Sequence, residues 1–139
     1  MFTDTYVARS LLLETTSGKL IWQAVGESGS MFGAEVRKEN DEPIRIRIWE
    51  SADRTGSRVC ASLFSRKLLS QNKPCQCSII EPYSAGIFGR SYKNDGDKEL
   101  AELLRALYRA VMTQCAGREP KDDASYEAAK QSIFSELFG

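Results

Sequence analysis

Histidine is absent from all 139 residues. That removes Ser-His-Asp and Cys-His catalysis and every histidine-ligated metal site. Net charge is absent too: 19 Lys and Arg balance 19 Asp and Glu, so a globally basic nucleic-acid binder is not indicated. No apolar run approaches the roughly 20 residues that cross a bilayer. Met1–Asp4 offers neither a basic n-region nor an apolar h-region, so no signal peptide is expected and the expected compartment is the cytoplasm. Cysteines are few (Cys60, Cys75, Cys77 and Cys115), and without a secretory signal reduced thiols are the default. No Walker loop or dinucleotide fingerprint occurs.

What remains is an ordinary globular composition, 42% hydrophobic and 27% charged, long enough for one domain, 1–139, with a real core. Asp4 is placed to cap a first helix whose Val7, Ala8, Leu11 and Leu12 recur at helical spacing. Gly18 suits the left-handed position past that helix. A strand follows at Lys19–Val25, with Leu20, Trp22 and Ala24 on one face and Trp22 its largest buried group. Met31–Lys38 is the next strand. Ile44, Ile46 and Ile48 then alternate with Arg45 and Arg47, and Arg58–Phe64 alternates again. One face of such a sheet is dry and the other wet, the antiparallel habit.

Pro74 and Pro82 bracket a fifth strand, Cys75–Glu81, placed at an edge; residues 65–72 read equally as strand or helical turn. Tyr83–Gly96 reads as a loop. The strongest helix is Asp97–Cys115, where Leu100, Leu103, Leu104, Leu107, Tyr108, Val111 and Cys115 form one stripe. Asp95 or Asp97 is placed to cap it. A last helix runs from Asp122 or Asp123 to about Phe138, either covering the core or docking on another chain. The fold class is therefore α+β: a single antiparallel meander of four to five strands, with an N-terminal helix and two C-terminal helices packed on one face.

Charge is unevenly distributed. Residues 54–93 hold seven cations against Glu81 alone, a net +6 between two flanks of −3 each. Within that stretch Tyr83, Phe88 and Tyr92 interleave with Arg90 and Lys93 around Gly86 and Gly89, a pattern that stacks bases and meets phosphate. The structural alternative is a connector whose aromatics pack back on the sheet. Arg45 and Arg47 extend such a patch, with Arg37 across from them, or simply solvate an exposed face balanced by Glu35 and Glu50. Glu81 reads as a solvated rim residue rather than a catalytic acid. Cys75 and Cys77 share a strand face and with Cys60 and Cys115 make a four-thiol set, but a lone C-x-C spacing favours core thiols over zinc.

The opening Leu13-x-Thr15-x-x-Gly18-Lys19-Leu20-x-Trp22, together with the leucine-rich Leu100–Tyr108, resembles small bacterial proteins of unassigned function in which a short helix, strands and a leucine-rich helix follow in that order. The resemblance implies the element order and a bacterial or mobile-element origin; it implies no site residues and no activity. With no catalytic constellation, no cofactor and no metal site expected, the leading expectation is a non-enzymatic protein-interaction module that binds a protein partner or self-associates. The alternative is single-stranded nucleic-acid or anionic-ligand binding through the basic segment 54–93.

Overall fold

The computed structural model describes residues 2–26, 30–37, 42–53, 56–86, 89–116 and 123–138. Helix α1 (Asp4–Thr16) precedes strands β1 (Gln23–Val25), β2 (Met31–Val36), β3 (Ile44–Asp53) and β4 (Gly56–Ser65). A short helix α2 (Arg66–Ser70) leads to β5 (Gln76–Ile80), a small hairpin β6 (Ser84–Gly86) and β7 (Gly89–Ser91), and the helices α3 (Asp95–Ala116) and α4 (Asp123–Phe138). Strands β1 to β5 form one antiparallel sheet in chain order, with β5 at an edge. This is the expected α+β meander.

The register explains why the alternation was so regular. Phe32 lies opposite Ile48, Ile48 opposite Ala61, and Ala61 opposite Ile79; Ala34 lies opposite Ile46. These side chains all project to one face and are buried against Ala8 and Leu11 of α1 and Leu100, Leu104, Leu107, Tyr108 and Val111 of α3. Ile44 shares the face but sits at the strand's beginning, where it stays 37% exposed. The described core residues of α1 and α3 all belong to this one cluster.

Three local expectations change. Thr3, not Asp4, caps α1, its Oγ1 accepting the Tyr6 N–H at 3.1 Å. Asn94, not an aspartate, caps α3, its Oδ1 accepting the Asp97 N–H at 2.8 Å. Residues 83–91 are not plain loop but contain the β6–β7 hairpin. Residues 66–70 resolve as helix because the Ser65 hydroxyl accepts the Leu68 N–H at 3.2 Å, an N-cap that stops the strand. Helix α4 forms where expected, but residues 131–138 are all exposed and none joins the core.

The first strand is shorter than its hydrophobic pattern, and the reason is specific. Gln114 of α3 takes the place of a neighbouring strand: its Oε1 accepts the Trp22 N–H at 2.7 Å, and its Nε2 donates to the Leu20 carbonyl at 2.9 Å. The Trp22 ring is fully buried, and its Nε1–H donates to Thr15 Oγ1 at 2.9 Å. The Thr15 hydroxyl in turn donates to the Leu11 carbonyl at 2.7 Å. Gly18, at φ +80°, turns the chain so that the Leu20 N–H reaches the Glu14 carbonyl at 2.9 Å. The Thr15-x-x-Gly18-x-Leu20-x-Trp22 spacing is thus a latch joining α1, the entry to β1 and α3.

Thr15→Val keeps the shape of this side chain but leaves the buried indole N–H without an acceptor. It is expected to destabilise the fold by about 1–3 kcal/mol, whereas Thr15→Ser keeps the oxygen and costs about half as much or less. Urea unfolding midpoints at constant slope measure both.

Candidate functional site

Two polar regions stand apart from the core. The first is built on Glu81, the residue after β5. Its backbone N–H continues the ladder to the Val59 carbonyl at 2.9 Å. Its carboxylate then replaces the next backbone acceptor: Oε1 takes the Val59 N–H at 3.0 Å and Arg105 Nε at 2.9 Å, and Oε2 takes an Arg90 N–H at 3.2 Å. Glu81 is only 1% exposed, so it is an internal ion-pair centre and not a solvated rim residue. Arg105 also donates to the Ser57 carbonyl at 2.7 Å and pairs with Glu50 at 3.2 Å.

Tyr83 is buried beside this centre, with its hydroxyl donating to the Ser57 carbonyl at 2.8 Å. The guanidinium of Arg58 lies 4.0 Å from the ring centroid and that of Arg90 lies 4.4 Å from it. Arg58 also donates to the Glu81 carbonyl at 3.1 Å and the Tyr83 carbonyl at 2.8 Å. Cation–π contacts of this kind engage both guanidiniums, with Arg58 half-buried and Arg90 still exposed. The Glu81 carboxylate accepts from Val59, Arg90 and Arg105 at once, so the cluster holds the sheet end together.

The structure therefore redistributes the residues singled out in the sequence. Tyr83 and Arg90 face each other within the Glu81 cluster. Tyr92 is half-buried and Lys93 exposed just ahead of the α3 cap. Phe88 lies outside the described residues. Arg66 and Lys67 sit past the far end of β4 from Arg58, about 26 Å away by strand rise, so the described cations of 54–93 do not converge. The four cysteines form no disulfide, and the expectation of core thiols holds only in part, with Cys60 buried, Cys75 and Cys115 half-buried and Cys77 exposed; no group of three or more metal-ligand side chains occurs among the described residues. No helix among the described residues is long and apolar enough to cross a membrane.

The second region is the helix-free face of the sheet. Arg45 and Arg47 project there from β3, Met31, Gly33 and Glu35 from β2, and Ser62 and Phe64 from β4. Gly33 is required by closeness: a Cβ there would meet Val25 Cγ2 at 2.9 Å and approach the Arg47 stem. Three shallow depressions of about 370, 220 and 250 Å³ cross this face, and Arg45 lines all three. Arg47, half-buried, donates to Met31 Sδ at 3.9 Å. No ion pair to Arg45 or Arg47 forms among the described residues. Trp49 and Phe64, both half-buried, flank the two arginines on the same face.

Sequence reasoning put Arg45 and Arg47 together on one face, as the register has them, but set Glu50 beside them, whereas Glu50 is on the opposite face and pairs with Arg105; it did not single out Arg105 or Ser57. One signal was there to read: Arg105 stands among Ala101, Leu104 and Tyr108, on the apolar side of α3, and a cation in that position needs a buried acid. No protein-family model matches the chain, and comparison with curated proteins and with solved structures gives no match.

Glu81→Gln leaves Arg90 and Arg105 facing a neutral amide and is expected to cost on the order of 3 kcal/mol, while Lys93→Ala stays within about 0.5 kcal/mol. Thermal and urea unfolding distinguish the two. A second expectation concerns pH. Burial pushes the Cys60 thiol above its ordinary value of 9.0, with Arg58 opposing and Glu81 adding to the shift. Burial likewise raises Tyr108 above 10.0, with Glu50 adding and Arg105 opposing. Both protons are held more tightly folded than unfolded, so their contribution is complete below pH 9 and is lost as pH rises through the folded values. Urea midpoints should be level from about pH 7 to 8 and fall above about pH 9. In native protein a thiol reagent should modify exposed Cys77 well before Cys60.

Proposed function

We propose that this protein is a non-catalytic protein-interaction module whose binding surface is the helix-free face of the sheet, centred on Arg45 and Arg47. The observation that carries this reading is that Arg45 and Arg47, neither in an ion pair among the described residues, share one sheet face with half-buried Trp49 and Phe64. Aromatic and arginine side chains are the groups that dominate interface energetics. The engagement of Arg58 and Arg90 with the buried Tyr83 ring favours this face over the segment 83–93.

The same arrangement supports a second reading, single-stranded nucleic acid or another anionic ligand, since an open antiparallel sheet with aromatics and arginines is a stacking platform. The two readings separate on one set of variants. Arg45→Glu with Arg47→Glu should abolish capture of a defined set of proteins by the immobilised chain, while Lys93→Glu should not. Capture unaffected by the double change overturns the assignment of the surface. Binding of a labelled oligonucleotide that falls steeply with salt, and that the double change removes, would transfer the site to the second reading.

A further inference from the structure

We infer that β5 is the seat of a second copy of this chain: two β5 strands pair antiparallel about a twofold axis at Ser78 and join the two sheets into one. The surface is the edge of the sheet, so the inference stands apart from the reading of the helix-free face. Two backbone bonds and the register fix which way the strand's polar groups point. The Ser65 N–H donates to the Cys75 carbonyl at 2.8 Å, and the Glu81 N–H donates to the Val59 carbonyl at 2.9 Å. Cys75, Cys77, Ile79 and Glu81 therefore turn their backbone toward β4, and Gln76, Ser78 and Ile80 turn theirs outward. Among the described residues no strand pairs with that side, and Gln76, Ser78 and Ile80 are exposed, Ile80 at 54%. Their N–H groups and carbonyls stand in a row that an extended backbone matches all at once.

The strand carries none of the devices that keep sheet edges apart: Gln76–Ile80 holds no charge, no proline and no bulge in its register. Its two ends select its own copy. Pro74 and Pro82 stand at equal distances on either side of Ser78, both in the outward-facing register and both without an N–H to give. With the axis at Ser78, Ser78 meets its own copy, Gln76 meets Ile80 of the second copy, and the prolines fall opposite each other. Each outward donor then has an outward acceptor. An axis at Gln76 or at Ile80 sets Ser78 opposite a proline and loses that match. The far edge of the sheet offers little to a further copy: β1 has 3 residues, and Gln114 takes the backbone of Leu20 and Trp22 ahead of it. Pairing at β5 thus gives a closed dimer rather than a growing ribbon. The axis runs perpendicular to the sheet, so both helix-free faces lie on one side of the joined sheet.

An interface of one short strand per chain is small, so the association depends on concentration. The test is sedimentation of the full chain from micromolar to about millimolar concentration. Wild type should pass from monomer to dimer and no further. Ser78→Lys and Ser78→Glu each set like charges directly opposite at the axis and should each weaken association about fivefold or more. Mixing the two variants sets opposite charges there, and the mixture should associate more tightly than either alone. Ser78 is exposed and its N–H faces away from β4, so circular dichroism and melting should not change. Arg45→Glu with Arg47→Glu lies two strands in from the edge and should leave the dimer intact. In wild type the amides of Gln76, Ser78 and Ile80 should exchange more slowly as concentration rises.

A wild-type chain that stays monomeric throughout overturns the inference, as does assembly past the dimer. So does a dimer that both charged variants leave unchanged, a mixture without recovery, or a dimer in which those amides exchange as fast as in the monomer. Protein capture that Arg45→Glu with Arg47→Glu abolishes is read independently of all these, so the edge and the face fail separately.

Discussion

The structure depends on the burial of one carboxylate. Glu81 stands where the sheet's edge strand ends, and its side chain completes the ladder that its backbone leaves unfinished. A carboxylate so deeply buried is tolerable only when its oxygens are filled by charged or N–H donors. Val59, Arg90 and Arg105 fill them. Those three donors come from β4, from the β6–β7 hairpin and from α3, so satisfying one charge fixes three elements relative to one another. Breaking it leaves two guanidiniums with too few partners, which is why its contribution is larger than that of the exposed Arg9–Glu99 pair between α1 and α3.

The latch at Trp22 does the matching task on the opposite side. There the donors and acceptors are neutral, and Gln114 supplies the backbone pairing that a sixth strand would otherwise give. Helix α3 is therefore held at two points along its length, by Arg105 to the β4–β5 end and by Gln114 to the β1 edge, while its leucines fill the space between. Apolar contacts are non-directional and would tolerate a helix slid along its axis. The two polar anchors select one position, and with it the face of the sheet that is covered.

Much of the fold was legible because the sheet has only one dry face. Strict alternation in Ile44–Ile48 and the stripe from Leu100 to Val111 translate directly into buried rows. The caps were misread for a local reason: Thr3, Asp4, Asn94, Asp95 and Asp97 all have capping side chains, and backbone geometry chooses among them. Glu81 was misread because its partners are remote in sequence; Arg105 lies 24 residues on, and nothing at position 81 itself announces burial. The charge of residues 54–93 misled in the same way. A count of cations says where positive charge is in the chain, and only folding says whether a carboxylate or a ring already occupies it.

That distinction underlies the surface proposed for recognition. Arg58 and Arg90 meet Tyr83 at close range and Arg90 also pairs with Glu81, so part of their charge is already engaged within the fold. Arg45 and Arg47 present no such competition: one is exposed, and the other touches a thioether that accepts weakly. An arginine with an accessible head, as exposed Arg45 has, can contribute both contact area and charge. A sheet face carrying Trp49 and Phe64 at half burial already gains from further covering, and rigid strands beneath it mean that little ordering cost is added when a partner seats there. The buried Glu81 carboxylate thus engages Arg90 and Arg105 at the sheet end, whereas Arg45 and Arg47 on the other face meet no carboxylate among the described residues.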